Sequence, residues 1–291
     1  MRWIAILAKQ ARRIVLTAIL GGLLAATMIR LSPGFGAGEE DLSADLSDQS
    51  RAALRAQRLR DANIARFYTH YLGGILHGDF GFSQALNRPV SELLKERLPE
   101  TLNSVLWGMS TGLVLGFGLA VLSVSLKSRA ADIAAGAGSA VLLSIPAAAL
   151  ALIFLWTGFN GKWAIALLVF PHIYRYGRNV LAESAASAHV LAARARGLSS
   201  SRVLFAHIVA PAVPQLVAAA GISATLAFGA SIPVEAICDI PGIGQLVWKA
   251  ALGRDLPLLV TITVLVAIMT MTVNSAADLM IAFRPGEAHE A

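Results

Sequence analysis

Six long apolar runs alternate with polar segments along the chain: Ile14–Ile29, Thr101–Leu126, Ile133–Trp156, Trp163–Leu181, Ala212–Ile232 and Leu258–Ile281. A helix crosses the hydrocarbon core of a bilayer in roughly 20 residues and satisfies its own backbone hydrogen bonds, so runs of this length read as spanning helices. The pattern predicts an all-α polytopic membrane protein with about six transmembrane helices. In the second run Gly108, Gly112 and Gly116 repeat every four residues, which puts them on one helix face and lets a neighbouring helix approach closely. Pro146 interrupts the third run after Ser144-Ile145, and a kink is expected there. The fourth run carries Pro171 and His172, then Tyr174, Arg175, Tyr176 and Arg178 toward its end; the two arginines mark a membrane surface, and His172 either lines a path or holds an interhelical hydrogen bond. Asn274 and Asp278 in the last run are one turn apart and share a face.

The polar segments have patterns of their own. From Ala188 to Pro214 the residues predict two short helices around a turn. Ala188 to Arg196 are strong helix formers, Gly197 can take the left-handed conformation that ends a helix, and Ser199 to Ser201 offer hydroxyl caps for a second helix through Val203, Leu204 and Phe205. Pro211 and Pro214 then mark the return to the bilayer. Such a long basic connection exceeds an ordinary loop and reads as a docking element. Residues 32–97 begin acidic (Glu39, Glu40, Asp41, Asp45, Asp48) and continue basic (Arg51, Arg55, Arg58, Arg60, Arg66). The second part predicts a surface helix with Leu59, Phe67, Tyr71, Leu72 and Ile75 as its apolar stripe. Between the fifth and sixth runs, Pro233 to Asp255 predicts a short external segment in which Pro241 and Gly242 set a turn and Gly244 a close backbone contact. The chain divides accordingly into 1–31 (amino terminus and first spanning helix), 32–100 (long external loop with an amphipathic helix) and 101–291 (a five-helix core with the docking loop at about 182–211).

Composition agrees with a lipid-solvated chain. Of 291 residues, 56% are hydrophobic and only 14% charged, and the mean hydropathy is +0.65, too apolar for a soluble surface of this size. The net charge of +6 lies in segments beside the spans, as in cytoplasmic loops, and does not indicate nucleic acid. With the amino terminus inside, the short inner segments hold twelve Lys or Arg and the short outer turns three (Lys162, Lys249, Arg254), which makes the docking loop cytoplasmic. The basic start and apolar run at the amino terminus also fit a secretory signal peptide; the later spans favour a retained helix. A single cysteine, Cys238, excludes an intrachain disulfide and any multi-cysteine metal site.

Catalytic patterns are missing from the sequence. Gly158-Phe-Asn-Gly-Lys162-Trp has neither the spacing nor the hydroxyl residue of a phosphate-binding loop, and no HExxH helix or nucleophile elbow occurs. The expectation is a non-enzyme that binds no cofactor or metal of its own.

Several stretches resemble one family. Ala193-Arg194-Ala195-Arg196-Gly197-Leu198-Ser199 with Arg202, Val203 and His207 is similar to the cytoplasmic coupling ("EAA") loop of ABC importer permeases of the dipeptide, oligopeptide and nickel branch. Ser187, Ala188 and His189 stand where the family commonly carries an acidic residue and an aromatic. Arg30-Leu-Ser-Pro-Gly resembles the end of the family's first helix, and Tyr71-Leu-Gly-Gly through Phe82-Ser, Arg88-Pro-Val and Glu96-Arg-Leu-Pro-Glu-Thr-Leu resemble the approach to its second. Glu235, Asp239-Ile-Pro241-Gly242-Ile-Gly244 and Arg254-Asp255-Leu-Pro resemble its landmarks before the last helix. The resemblance implies a type I ABC importer permease fold: a bacterial inner-membrane subunit, multi-pass with a cytoplasmic amino terminus, that forms the path for peptides or similar small solutes. It implies as partners a second, homologous permease subunit in a heterodimer, two ABC ATPase subunits that bind ATP and Mg, and an external solute-binding protein. It also implies roles: ATPase coupling for Arg194, Ala195, Arg196, Gly197, Leu198, Ser199, Arg202 and Val203; an external gate or turn at Glu235, Pro241, Gly242, Gly244, Arg254 and Asp255; and a path lined by His172, Ala227, Gly229 and Ser231. The alternative is a non-transporting sensor or regulatory subunit that docks an ATPase without passing a solute.

Overall fold

The computed structural model describes residues 2–31, 64–126 and 128–282. The acidic and basic stretch from Glu39 to Arg60 and the tail beyond Ala282 lie outside them. The described residues are almost entirely helical: α1 (Arg2–Leu31), α2 (Ile64–Leu76), a two-residue antiparallel hairpin of β1 (Phe82–Ser83) and β2 (Arg88–Pro89), α3 (Val90–Leu126), α4 (Arg129–Ser144), α5 (Ala147–Thr157), α6 (Lys162–Ala185), α7 (Ala188–Ala195), α8 (Ser200–Ile237), α9 (Ile243–Leu252) and α10 (Leu256–Ala282). Four helices are long and apolar enough to cross a membrane: α1, α3, α8 and α10. The third expected span is not one straight helix. It breaks into α4 and α5, bent by 96° at Ile145–Pro146, and makes a fifth crossing if the pair is counted together. The cause lies in the sequence, because Pro146 supplies no N–H to the preceding turn and its ring crowds it. The fourth expected span, α6, has 24 residues, but its polar second half keeps it out of that apolar class.

The chain forms two compact units, Met1–Leu98 with Leu246–Ile268, and Pro99–Gln245 with Met269–Ala291. In the first, Ala18 and Ala26 of α1, Tyr68 and Tyr71 of α2, and Leu256, Val260 and Val264 of α10 make the core. Buried tyrosines need partners for their hydroxyls, and both find one: Tyr68 donates to the Ile19 carbonyl at 2.6 Å and Tyr71 to Thr261 Oγ1 at 2.9 Å. Burial pushes the Tyr71 hydroxyl up to about 12. Asp255 caps α10 in the same unit. Its Oδ1 accepts from the Leu258 N–H at 3.2 Å, and its Oδ2 accepts from Ser83 Oγ at 2.6 Å and the Ala85 N–H at 3.1 Å, which ties the hairpin to the helix start. Asp255→Ala removes a helix cap and leaves buried donors without partners, and should cost about 2 kcal/mol; thermal unfolding in detergent reads the loss.

The second unit is built around α6. Its buried face, including Ile165, Val169, Ile173, Tyr174 and Leu181, packs on α8 and α4. The glycine face of α3 meets it as the four-residue spacing predicts. A methyl group at Gly108 would lie 2.7 Å from Ile165 Cβ, one at Gly112 3.0 Å from Val169 Cβ, and one at Gly116 2.6 Å from Ile173 Cγ2. These are backbone-close contacts that only glycine permits. Large apolar side chains on the outside, such as Leu106, Val114, Leu122 and Ile222, remain exposed, which is what a lipid solvent requires of a helical bundle.

Candidate functional site

The basic loop folds into a helical hairpin. α7 ends at Ala195, and the turn that closes it passes through Gly197, whose φ of +77° is left-handed. The Leu198 N–H returns to the Ala193 carbonyl at 3.3 Å and the Gly197 N–H to the Arg194 carbonyl at 2.9 Å, the paired bonds of a Schellman cap. Ser199 stands at the helix-capping position with extended backbone angles, but its hydroxyl makes no cap bond. Instead it lies 3.5 Å from Ser201 Oγ. The expected second short helix is not separate. From Ser200 the chain runs as one helix of 38 residues to Ile237, through Pro211 and Pro214. A π-helical segment at Val203–Val209 precedes Pro211. Pro211 has no N–H to give the carbonyl one turn back, that of His207, and this oxygen accepts from His189 Nε2 at 2.9 Å. A cross-link between the two arms of the hairpin thus takes up the group that proline leaves unpaired. Ser184 Oγ similarly donates to the Ile208 carbonyl at 2.9 Å.

The hairpin has two sides. Val190, Ala193, Val203 and Ile208 are buried in one cluster with Tyr174, Val180 and Leu181 of α6, with Leu198 packed against it. Arg194, Ala195, Arg196, Gly197, Ser199 and Arg202 face outward, together with Leu191 and Phe205, which are 60% and 62% exposed. The outer side therefore joins basic and apolar groups over a rigid inner side. Beside it, Arg178 of α6 grips Asp132 of α4 with two hydrogen bonds, Nε to Oδ1 at 2.9 Å and Nη2 to Oδ2, and Ser123 of α3 donates to the same Oδ1 at 2.9 Å. Three helices are joined by one carboxylate. Arg178 is legible in the sequence as a surface marker, but its partner Asp132, at the start of a different helix, is not.

At the other end of α8, Glu235 lies in the last helical turn, because the helix continues past Pro233 to Ile237. It is fully buried. Its Oε2 accepts from Thr101 Oγ1 at 2.9 Å and from the Gly244 N–H at 2.7 Å, and Thr101 Oγ1 accepts from the Ile243 N–H at 2.7 Å. The Pro-Gly-Ile-Gly stretch is wrapped over this carboxyl. A methyl group at Gly242 would overlap Glu235 Oε2 and lie 2.6 Å from Thr101 Oγ1, and one at Gly244 would lie 2.5 Å from the Ile232 carbonyl oxygen. Pro241 is exposed at the turn. Thr101 belongs to the Glu96–Leu102 stretch singled out in the sequence, but its pairing with Glu235 shows only in the fold. Arg254, exposed with φ +50°, and Asp255, the α10 cap, belong to the other unit.

Of the residues expected to line a path, Ala227 and Ser231 are buried inside the second unit, whereas Gly229 and His172 face outward. His172 Nδ1 is 3.1 Å from the Leu168 carbonyl of its own helix, so its hydrogen bond is intrahelical. A further concavity, of about 420 Å³, lies between α8 and α10 and is lined by Ala218, Gly221, Ile222, Thr225, Leu226, Asn274, Ala277 and Asp278. Among the described residues no group of three or more His, Cys, Asp or Glu side chains is placed to hold a metal ion.

Comparisons with known proteins converge on one family. Residues 108–283 match the family model described as the binding-protein-dependent transport system inner membrane component. The oligopeptide transport system permease protein AppB of Bacillus subtilis is 29% identical over 74% of this chain and 77% of its own length. The dipeptide transport system permease protein DppB of Lactococcus lactis is 28% identical over 94% and 95%, and the glutathione transport system permease protein GsiC of Salmonella choleraesuis is 25% identical over 94% and 95%. An inward-facing conformation of the MetNI methionine ABC transporter superposes with a TM-score of 0.58 at 22% identity, covering 65% of this chain and 95% of that one, which establishes the shared fold. The chain is a multi-pass membrane protein and belongs to the family of binding-protein-dependent transport system inner membrane components, the non-catalytic permease subunits of ABC importers.

Proposed function

We propose that this permease forms the path for peptides or similarly small solutes through a bacterial inner membrane, with its amino terminus and the α7–α8 hairpin in the cytoplasm. The hairpin docks on one of two ABC ATPase subunits, which bind ATP and Mg; an external binding protein delivers the solute, and a second, homologous permease completes the path. The observation that carries this reading is the two-sided hairpin: exposed Arg194, Arg196, Arg202, Leu191 and Phe205 over a buried cluster shared with α6. A partner pressing on the outer side moves α6 and α8 with it, because the inner side is packed without slack. Peptides are favoured because the relatives named above transport oligopeptides, dipeptides and glutathione. Glu235, Gly242 and Gly244 then close the outer end of α8.

The test combines Arg194→Ala with Gly197→Val in the assembled transporter. A side chain at Gly197 strains the left-handed turn, and loss of an interface arginine removes an anchor, so uptake of a short peptide should fall by about tenfold or more. Copurification of the ATPase should weaken while the amount of permease in the membrane stays constant. Undiminished ATP-driven uptake by the double variant would overturn the docking role.

A further inference from the structure

We infer that Asp132 is the positioning residue that makes α4 follow the docking hairpin: it clamps the far end of a hinged arm to α6, and this rests on the docking reading above. α4 is the arm because little else holds it. Among its described side chains only Ser139 is buried, and that hydroxyl bonds within the helix, to the Gly136 carbonyl at 2.8 Å. Ile133 and Val141 are each 63% exposed. α5 is the opposite case, since Leu150 and Ala151 are buried in one cluster with Val105 of α3, Ile165 of α6, and Ala227 and Phe228 of α8. Between α4 and α5, Pro146 takes extended backbone angles, φ −60° and ψ 146°, and has no N–H with which to continue the helical ladder. A sparsely packed helix therefore joins an anchored one through a break, which is the make-up of a hinge.

The clamp sits at the end of α4 away from that hinge, roughly 20 Å along the helix axis. Asp132 accepts from Arg178 Nε at 2.9 Å and from Arg178 Nη2, and from Ser123 Oγ at 2.9 Å. A two-point contact between guanidinium and carboxylate fixes direction as well as distance, so the arm resists swinging against α6 while the contact lasts. Arg178 lies between Tyr174 and Leu181, which are buried in one cluster with Val190, Ala193, Val203 and Ile208 of the hairpin. α3 is held to α6 at the same level: a methyl group at Gly177 would lie 3.0 Å from Phe117 Cδ1, and Ala120 belongs to the hairpin cluster. α4 adds Ala135, a single methyl group, at the edge of that cluster. Displacement of the hairpin thus reaches α6 and α3 through tight packing, but reaches α4 chiefly through the Asp132 carboxylate.

The experiment uses the complete transporter with its ATPase subunits in nanodiscs. Spin labels on Val141→Cys of α4 and Tyr176→Cys of α6, in a Cys238→Ser background, report one helix against the other with and without ATP plus vanadate. The parent should give one narrow distance that is the same in both states, because the arm follows α6. Asp132→Ala should broaden that distance or make it depend on nucleotide, and Asp132→Asn, nearly isosteric, should change it in the same direction. In proteoliposomes with the binding protein, Asp132→Ala should also lower tri-alanine uptake per ATP hydrolysed by about fivefold or more, the lower end of ordinary coupling between sites, while the ATPase still copurifies. A parent distance that already changes with nucleotide, or an alanine variant as narrow as the parent, would overturn the clamp. So would loss of both the alanine and the asparagine variants from the membrane, since Asp132 would then serve folding. The two levels separate in the parent: copurification of the ATPase with an unaffected alanine variant removes the clamp and leaves docking standing, while a parent that binds no ATPase removes both.

Discussion

Gly116→Val is expected to destabilise the second unit by about 3 kcal/mol, near the upper end of what overpacking a filled core costs. The first added carbon alone would lie 2.6 Å from Ile173 Cγ2, 2.7 Å from Ile173 Cβ and 3.1 Å from the Phe170 carbonyl oxygen. Ile173 is fully buried and β-branched, so it has no alternative rotamer into which to retreat. Helices α3 and α6 must separate instead, and the dispersion contacts along the whole face weaken with distance. Neighbouring glycines provide an internal scale. Gly112→Ala, with its nearest contact at 3.0 Å, should cost less than Gly116→Ala. Gly118→Ala has nothing within 4 Å and should be neutral or gain up to about 1 kcal/mol from helix propensity. Thermal unfolding in a single detergent ranks the series; a Gly116→Val protein as stable as its parent would show that the two helices are not in this contact.

A second large effect is expected at Gly242, where valine should cost about 3 to 5 kcal/mol. The new side chain would overlap Glu235 Oε2 and press on Thr101 Oγ1, so the Pro-Gly-Ile-Gly stretch has to lift away. Lifting it withdraws the Gly244 N–H from Glu235 and the Ile243 N–H from Thr101. A buried carboxyl is then left with fewer partners, and the cost of an unsatisfied buried polar or charged group adds to the strain. The comparison that isolates this mechanism is Gly242→Val in a Glu235→Leu background. With the carboxyl replaced, only the steric part remains, and the additional loss of Tm caused by valine should be smaller than in the parent. Equal losses in both backgrounds would show that Gly242 is required for the turn alone.

These two glycines illustrate different degrees of legibility. The spacing of Gly108, Gly112 and Gly116 implies a close helix contact from the sequence alone, since a repeat of four residues defines a helix face whatever lies opposite. That the face meets Ile165, Val169 and Ile173 depends on how the helices pack. Gly242 and Gly244 are legible as a turn and a close approach, but Thr101, which completes the arrangement, is 134 residues from Glu235 in the chain and carries no pattern that joins the two. The Asp132–Arg178–Ser123 contact is hidden for the same reason. In the docking hairpin the turn at Gly197 is legible because left-handed backbone selects glycine. The uninterrupted α8 is not, because two prolines ordinarily argue for a break; the π-helical turn and the bond from His189 to the His207 carbonyl compensate for the N–H that Pro211 lacks.

Local physics, readable along the chain, determined the all-helical membrane class, the approximate positions of the long helices, the kink at Pro146 and the left-handed end of α7. Each depends on residues within a few turns of one another: apolar length, ring geometry or a missing Cβ. Tertiary structure alone decided that Glu235 is enclosed at the end of α8, and that Thr225, Asn274 and Asp278 share one groove. Side chains far apart in sequence become neighbours only when helices settle on one another, and one-dimensional periodicity carries the face a helix buries but not the partner that covers it.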